Sequence, residues 1–465
     1  MAQSARGGLT RGGQKGGLKE AFDAETVAEI EALVGEGAVD QLDLEAIETG
    51  ARRRALAVAA RAVERRLNAD TSDQAAPTLR CGCGKDAHYA GRRRKTITTV
   101  LGDITLERAY YHCEACKGGF CPRDRALGVL GTSLSPAVTR MAGLVAAMVS
   151  FAESSELMQE LAGVPVGAKQ VERTAEGLGR EIIQDERTVL DPEPPAAPTM
   201  YLGMDGTGVP MRACELEGRQ GKQPDGSAQT REVKLVTVWS AEGRDPEGFP
   251  VRDTGSVTYS AAIESAASRD TDKALSAFAQ RTNREAQRRG FDQAERRVVL
   301  GDGALWIWNL ADELFSGAIQ IVDLFHAKQH LSDVAKAIYG PANALGQQWA
   351  HQRHAELDAG KLVTLLGAIR RHASTHDEAR KCLDYITRNQ ARMRYPAFRA
   401  RGLCVSSGVV EAGCKLAIGT RLKRAGMHWT VAGADAIIAL RCYRLSGRFE
   451  DFWERRAGGV RARAA

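Results

Sequence analysis

The chain has 465 residues, 43% of them hydrophobic and 26% charged, with a formal charge of +6 and a pI near 8.8. That length implies several domains, and the composition is that of a globular rather than a disordered chain. No apolar run of about 18 residues or more occurs, which argues against a membrane-spanning helix. Nor does an apolar stretch follow the N-terminal Met, so the expectation is a cytoplasmic protein. Its ten cysteines should then be thiols or metal ligands rather than disulfides.

Residues 1–19 carry Arg6, Arg11, Lys15 and Lys19 among glycines and no acid, which predicts a disordered basic tail. Residues 20–77 read as helical, with Leu56, Val58, Val63 and Leu67 spaced among arginines. Residues 78–126 turn to cysteines and β-rich runs, and 127–189 return to helix. The stretch LDPEPPAAPT, Leu190 to Thr199, predicts a stiff linker and a domain boundary. Beyond it, apolar runs at 200–204, 233–238, 257–260, 298–300 and 319–322 predict strands, with a polar helix near 267–289. Residues 200–326 and 406–455 are therefore expected to form an α/β domain around a central sheet. Residues 327–405 lack any strand signal and predict an all-helical insertion. The expected fold class is multidomain α+β, with a helical and zinc-ribbon N-terminal half.

Cys81, Cys83, Cys113 and Cys116 form C-x-C followed by C-x-x-C. They bracket the runs His88–Val100 and Asp103–Tyr111, with Leu101-Gly102 as the expected turn. Two thiolate pairs joined by a hairpin are a zinc-ribbon plan, and a structural Zn²⁺ would supply folding energy to a region with little core. The one-residue spacer leaves open His88, His112 or Cys121 as a substitute ligand.

Three acids stand out by position. Asp205 follows a strand and precedes Gly206-Thr-Gly, Asp302 sits between Gly301 and Gly303 after a strand, and Glu411 opens a helix after Ser406-Ser407. Acids at strand ends face the crevice where α/β domains bind ligands, and flanking glycines admit a phosphate backbone. Two aspartates and a glutamate suffice to hold two Mg²⁺ (or Mn²⁺) ions for phosphoryl transfer.

The strings MDGTGVP (204–210), GDGALWIW (301–308), VDLFHAKQHL (322–331) and SSGVVEAGCKLAIGTRLKRAGMHW (406–429) resemble the ISKra-type insertion-sequence transposases. TVLGDITLERAYYHCEAC (99–116) and LRCYRLSGRFEDFW (440–453) extend the resemblance over most of the chain. It implies a ribonuclease H-like catalytic domain whose Asp-Asp-Glu triad falls on Asp205, Asp302 and Glu411, with the helical insertion between the last two. It also implies a supporting Asp-x-x-His element at Asp323 and His326, and C-x-x-C-G where this chain has C-x-C. The implied activity is cleavage and joining of double-stranded DNA at terminal inverted repeats and a target. Synapsis of two ends requires a homodimer or higher assembly, in a prokaryotic, nucleoid-associated setting. A DNA-binding relic or regulator is the alternative.

Candidate DNA contacts follow. Arg92, Arg93, Arg94 and Lys95 form a cationic run on the hairpin. Residues 152–162 and 169–179, joined by Gly163-Val-Pro-Val-Gly, fit helix-turn-helix with Lys169, Gln170 and Arg173 facing bases, and fit a plain helical hairpin equally. Arg421, Lys423 and Arg424 lie about three turns beyond Glu411, placed to grip a DNA end. Trp306 and Trp429 are read as core rather than as base-stacking platforms.

Overall fold

The computed structural model describes residues 24, 27–29, 31–32, 43–188, 197–221, 223, 226–267, 274–406 and 408–462. The basic tail at 1–19 and most of the Pro-rich segment lie outside these. Among the described residues no helix is long and apolar enough to cross a membrane. The chain divides into two compact units.

The first unit takes residues up to 145, 151–171 and those from 453 onward. Its centre is an antiparallel sheet in the order β1 (Thr78–Arg80), β2 (Asp86–Thr99), β3 (Gly102–His112), β4 (Gly119–Phe120). The expected hairpin is present, but its turn is Val100-Leu101, because Gly102 already pairs with Thr99. Helix α1 (Leu44–Ala69), capped by the Asp43 carboxylate, lies along β3. Its Glu64 accepts from the Thr105 N–H at 2.6 Å and its Asn68 from the Glu107 N–H at 2.8 Å. The core here is small: Ala60, Ile97, Ile104, Leu106 and Val129. Short α2 (Pro122–Ala126) is followed by α3 (Pro136–Ala146), α4 (Phe151–Ala162) and α5 (Ala168–Thr188).

The second unit takes residues 146–150 and 172–452. Five strands form one mixed sheet: β5 (Thr199–Pro210), β6 (Thr230–Ser240), β9 (Thr258–Ala262), β10 (Arg296–Gly301) and β11 (Ile319–Val322). Their spatial order is β11-β10-β5-β6-β9. β5, β6 and β9 run antiparallel, whereas β10 and β11 run parallel to β5. A two-stranded ribbon, β7 (Gly243–Arg244) with β8 (Pro250–Val251), lies between β6 and β9 in sequence. The central strands are buried on both faces, as their unbroken apolar runs require. Helices α6 (Ala277–Arg288) and α7 (Leu305–Leu314) cover the sheet through Phe278 and Ile307. Residues 324–406 hold no strand. They form α8 (Leu324–Tyr339), α9 (Ala344–Asp358), α10 (Leu362–Arg370), α11 (Asp377–Asn389) and α12 (Tyr395–Ala400). The chain then returns as α13 (Gly408–Gly413), a π-helical turn (Cys414–Gly419), α14 (Thr420–Leu422), α15 (Val431–Leu445) and α16 (Phe449–Ala462).

The division between units does not fall at the Pro-rich segment but inside α5, between Val171 and Glu172. The physical reason is a buried anchor near the end of α5. Glu186, 5% exposed, accepts from Arg281 of α6 at 2.6 Å, and Arg281, 3% exposed, also binds Glu264 at 2.8 Å. Burial alone would push the Glu186 carboxyl up, but Arg281 and the Ser260 hydroxyl hold it below its usual range. Removing the cation leaves the buried Glu186 carboxylate and the half-buried Glu264 carboxylate without their shared partner. Arg281→Met is therefore expected to cost about 3–5 kcal/mol in urea unfolding of this unit. A loss no larger than the roughly 1 kcal/mol of an exposed pair would show that the anchor carries no weight.

Candidate functional site

Two clusters carry chemistry. In the first unit, the β1–β2 and β3–β4 turns lie at the same end of the sheet, so each offers its cysteines to the other. The Cys81 N–H donates to the Lys85 carbonyl at 2.8 Å and the Gly84 N–H to the Cys81 carbonyl at 2.9 Å. Gly84 at φ 82° lets this tight turn close around a one-residue spacer. Across from it, the Cys113 N–H donates to the Gly118 carbonyl at 2.8 Å. The sulfurs of Cys81 and Cys116 lie 3.6 Å apart and those of Cys83 and Cys113 3.7 Å apart. A tetrahedron with Zn–S bonds of about 2.3 Å has S···S edges of about 3.8 Å. The donor set and spacing therefore fit a structural metal such as zinc. Backbone N–H groups, Cys116's first, bring the Cys113 thiol down to about 7. The Gly118 N–H favours the Cys116 thiolate, but contacts with Cys81, Cys113 and Cys83 outweigh it and push that thiol up to about 11. The substitutes left open by the sequence are engaged elsewhere: His88 with Thr78, His112 with Glu114, and Cys121 buried at the start of α2.

Among the described residues, these cysteines are the one group of three or more His, Cys, Asp or Glu side chains whose donor atoms lie within 4.8 Å of one another. Asp205, Asp302 and Glu411 are not drawn together to that degree. Asp205 does not end its strand, as the sequence suggests. It pairs with Leu235 in the middle of β5, two residues past the last parallel pair, Gly203 with Leu300. The long β5–β6 hairpin carries it beyond the edge of β10. Asp302 follows the last residue of β10, and the Ala304 N–H donates to its carboxylate at 2.8 Å. Burial, and then the charge of Asp302, raise the Asp205 carboxyl above its usual range, against the Gly206 N–H, the Cys414 thiol and His326. These neighbours place Asp205, Asp302, His326 and Cys414 in one electrostatic environment.

Two glycines of β5 also allow close approach of their neighbours. A Cβ on Gly203 would collide with Val410, and one on Gly206 with the Glu232 carboxylate. Gly203 thus lets α13 pack down on β5. Val410 is buried there and Glu411 is exposed. Cys414, one turn after Glu411, donates to Asp205 and is itself pushed up, chiefly by burial. The π-helical turn that starts at Cys414 is held by Arg441, whose guanidinium donates to the Ala417 carbonyl at 2.8 Å and to the Leu416 carbonyl. Such turns are frequent at functional sites.

One sequence family spans the three acids and the second cysteine pair, Cys113 and Cys116, and begins just after Cys81 and Cys83. The chain belongs to the uncharacterised protein family UPF0236. The match covers residues 85–456, from the β2 start to α16. No curated protein matches this member of UPF0236. Among solved structures, the Drosophila P element transposase strand transfer complex is similar, at 11% identity and a TM-score of 0.26, over 72% of this chain and 84% of that one. So distant a likeness decides neither fold nor chemistry.

In this UPF0236 chain the other expected residues divide. Asp323 is the N-cap of α8, its carboxylate accepting from the His326 N–H at 2.7 Å. The His326 ring packs against His330, centroids 4.9 Å apart. The cationic hairpin run does not form one free strip, because successive strand residues face opposite ways. Arg92 binds Asp73 at 3.1 Å, Arg93 stacks on Tyr110, Arg94 binds Glu107 at 3.0 Å, and Lys95 reaches the Val129 carbonyl at 2.7 Å. Lys169 and Arg173 are exposed, and Gln170 donates to the Ser133 hydroxyl at 3.2 Å. The two helices expected around Gly163 are α4 and α5, the second running on to Thr188. Arg421 is a correction: it is fully buried, donating to the Ala146 carbonyl at 2.9 Å, and cannot grip DNA in this state. Lys423 and Arg424 are exposed, and Lys423 reaches the Thr207 hydroxyl, two residues from Asp205. Trp429 is core, its indole N–H donating to the Leu422 carbonyl at 3.0 Å, and Trp306 packs against Phe278 and Lys234. Tyr385, whose hydroxyl donates to the Asp302 carbonyl at 2.7 Å, carried no signal in the sequence, and Cys414 none beyond its place in the 406–429 string.

Proposed function

We propose that the chain is a DNA transposase of the ISKra type, with a ribonuclease H-like domain that cleaves and joins DNA at terminal inverted repeats. One observation carries the reading: Asp302, just past the end of β10, raises the carboxyl of Asp205 on the adjacent parallel strand β5, and the helix bearing Glu411 packs on β5 through Gly203 and Cys414. A sheet of three antiparallel strands followed by two parallel ones is also what a ribonuclease H-like fold requires. Carboxylates are hard oxygen donors, suited to Mg²⁺ or Mn²⁺. Asp205, Asp302 and Glu411 would hold such ions, which supply the Lewis acidity that phosphoryl transfer needs. Lys423 would draw the DNA backbone toward Asp205, and the cysteine turns would present the first unit to the DNA end. Two copies of the chain would pair the ends.

A second reading, DNA binding without catalysis, is favoured by the exposure of Glu411 and by the looseness of the acid group. One assay separates them: strand transfer of end-labelled DNA carrying the repeats that flank the gene, with Mg²⁺. The expected result is transfer by the parent and, for Glu411→Gln, a fall of about a thousandfold or more with repeat binding retained. Transfer by the variant within a few-fold of the parent removes Glu411 from the triad. Specific binding with no cleavage by the parent establishes the second reading.

A further inference from the structure

We propose that the helical insertion is part of the acid site, with Tyr385 as a positioning residue that holds the Asp302 loop. The inference rests on the catalytic reading above for its purpose, and on packing for its substance. The turn from β10 to α7 is only Asp302-Gly303-Ala304, in which the Ala304 N–H donates to the Asp302 carboxylate at 2.8 Å and the Ala304 carbonyl accepts from the Ile307 N–H at 3.1 Å. Such a turn has little of its own to fix it. Gly303 stands at φ 100°, a conformation side-chain-bearing residues rarely adopt. A Cβ there would also lie 2.9 Å from the Tyr385 hydroxyl oxygen. The missing side chain is the space that the Tyr385 ring fills, and the hydroxyl donates to the Asp302 carbonyl at 2.7 Å.

The ring is in turn held in place. Tyr385 is 9% exposed on α11 and packs against His330, the rings tilted at 40° with centroids 4.3 Å apart. A second tyrosine of the insertion makes the same kind of contact on the next strand: the Tyr395 hydroxyl donates to the Val322 carbonyl at the end of β11, at 3.1 Å. Beneath both, the Asp323 N–H donates to the Gly301 carbonyl at 2.8 Å. The insertion thus fastens both parallel strand ends, but only Tyr385 acts on the peptide unit that carries a candidate ligand. Burial pushes both phenols well above their usual range, so each stays a neutral donor.

The test compares Tyr385→Phe with Tyr395→Phe in the full chain, since each keeps its ring and loses one hydroxyl. Amide hydrogen exchange is read for residues 301–305, and Mn²⁺ affinity by calorimetry. Tyr385→Phe is expected to speed exchange at 301–305 while 362–389 keep parental protection, and to weaken Mn²⁺ binding by roughly tenfold, the usual effect of losing a ligand's hydrogen-bond support. Tyr395→Phe is expected to do neither. Parental exchange at 301–305 in Tyr385→Phe, or equal effects of the two variants, overturns the proposal. A parent that binds no Mn²⁺ defeats the catalytic reading instead, and the exchange measurement then decides the clamp alone.

Discussion

Asp205→Asn is expected to lower Mg²⁺-dependent cleavage by about a thousandfold or more while leaving the metal-free protein as stable as the parent, or more so. The two effects share one cause. Asp205 is half-buried on a strand, near Asp302, and its carboxyl is raised above the usual range first by burial and then by that second acid. The folded protein therefore holds the proton more tightly than the unfolded chain does. The carboxyl supports the fold below the ordinary carboxylate range, and that support is lost as pH rises toward the folded pKa. At neutral pH the ionised group works against folding unless a cation sits beside it. Asparagine removes the charge and keeps the shape. Thermal unfolding in EDTA should thus give the variant a Tm at or above the parent's. Mg²⁺ at a hundred times its dissociation constant would stabilise the parent by roughly 2.7 kcal/mol and the variant much less. A variant that melts several degrees below the parent in EDTA, with Mg²⁺ indifferent to both, would mean that Asp205 is a structural residue.

That pattern separates function from packing because the site is built at the expense of stability. The same opposition explains which parts of the molecule were legible in the sequence. Strands β6, β10 and β11 announce themselves as β-branched runs, since a strand buried on both faces needs apolar residues throughout. The strandless insertion was legible for the converse reason. The second half of β5 was not: Gly206-Thr-Gly-Val-Pro reads as a turn, and it becomes strand only because β6 pairs with it as far as Pro210. Register across a hairpin is a tertiary fact.

Charge runs misled in a similar way. Arg421 stands in a basic stretch that looks like a phosphate grip, yet its guanidinium serves the Ala146 carbonyl, 275 residues away in sequence. Local composition does not distinguish an arginine that serves buried carbonyls from one that meets solvent. Where a unit ends depends on contacts such as Glu186 with Arg281, 95 residues apart, which local composition does not record. Tyr385 was invisible for the same reason: it acts on an acid loop distant in the chain, with no motif to mark it. Cys414 sits inside the 406–429 string, but nothing local ties its thiol to Asp205.

The four cysteines were legible as a group because metal chemistry constrains spacing, and they carry the largest expected effect on stability. Changing Cys113 and Cys116 together to Ser is expected to release one equivalent of zinc and to unfold residues 78–126. The sheet around them buries little: Ala87, Ala109, Tyr111 and Cys113 are buried at this end, with Leu79, Cys81, Tyr89 and Phe120 half-buried against them. So small a cluster does little to offset the ordering of two knuckle turns, each containing a residue at positive φ, Gly84 at 82° and Lys117 at 56°. A structural zinc supplies roughly 10–16 kcal/mol of binding free energy in small domains, which would be lost from the fold along with the thiolates. Serine is nearly isosteric and keeps the hydrogen-bonding turns, so loss of metal rather than of packing would be the cause. Metal analysis of freshly reduced protein, paired with hydrogen exchange over 78–126, reads both consequences. The sheet of the second unit has its own core and should keep parental exchange at Leu202, Val236 and Val299. Reduced parent protein without zinc, or a double variant whose hairpin exchanges as slowly as the parent's, would show that the cysteine turns stand by hydrogen bonding alone.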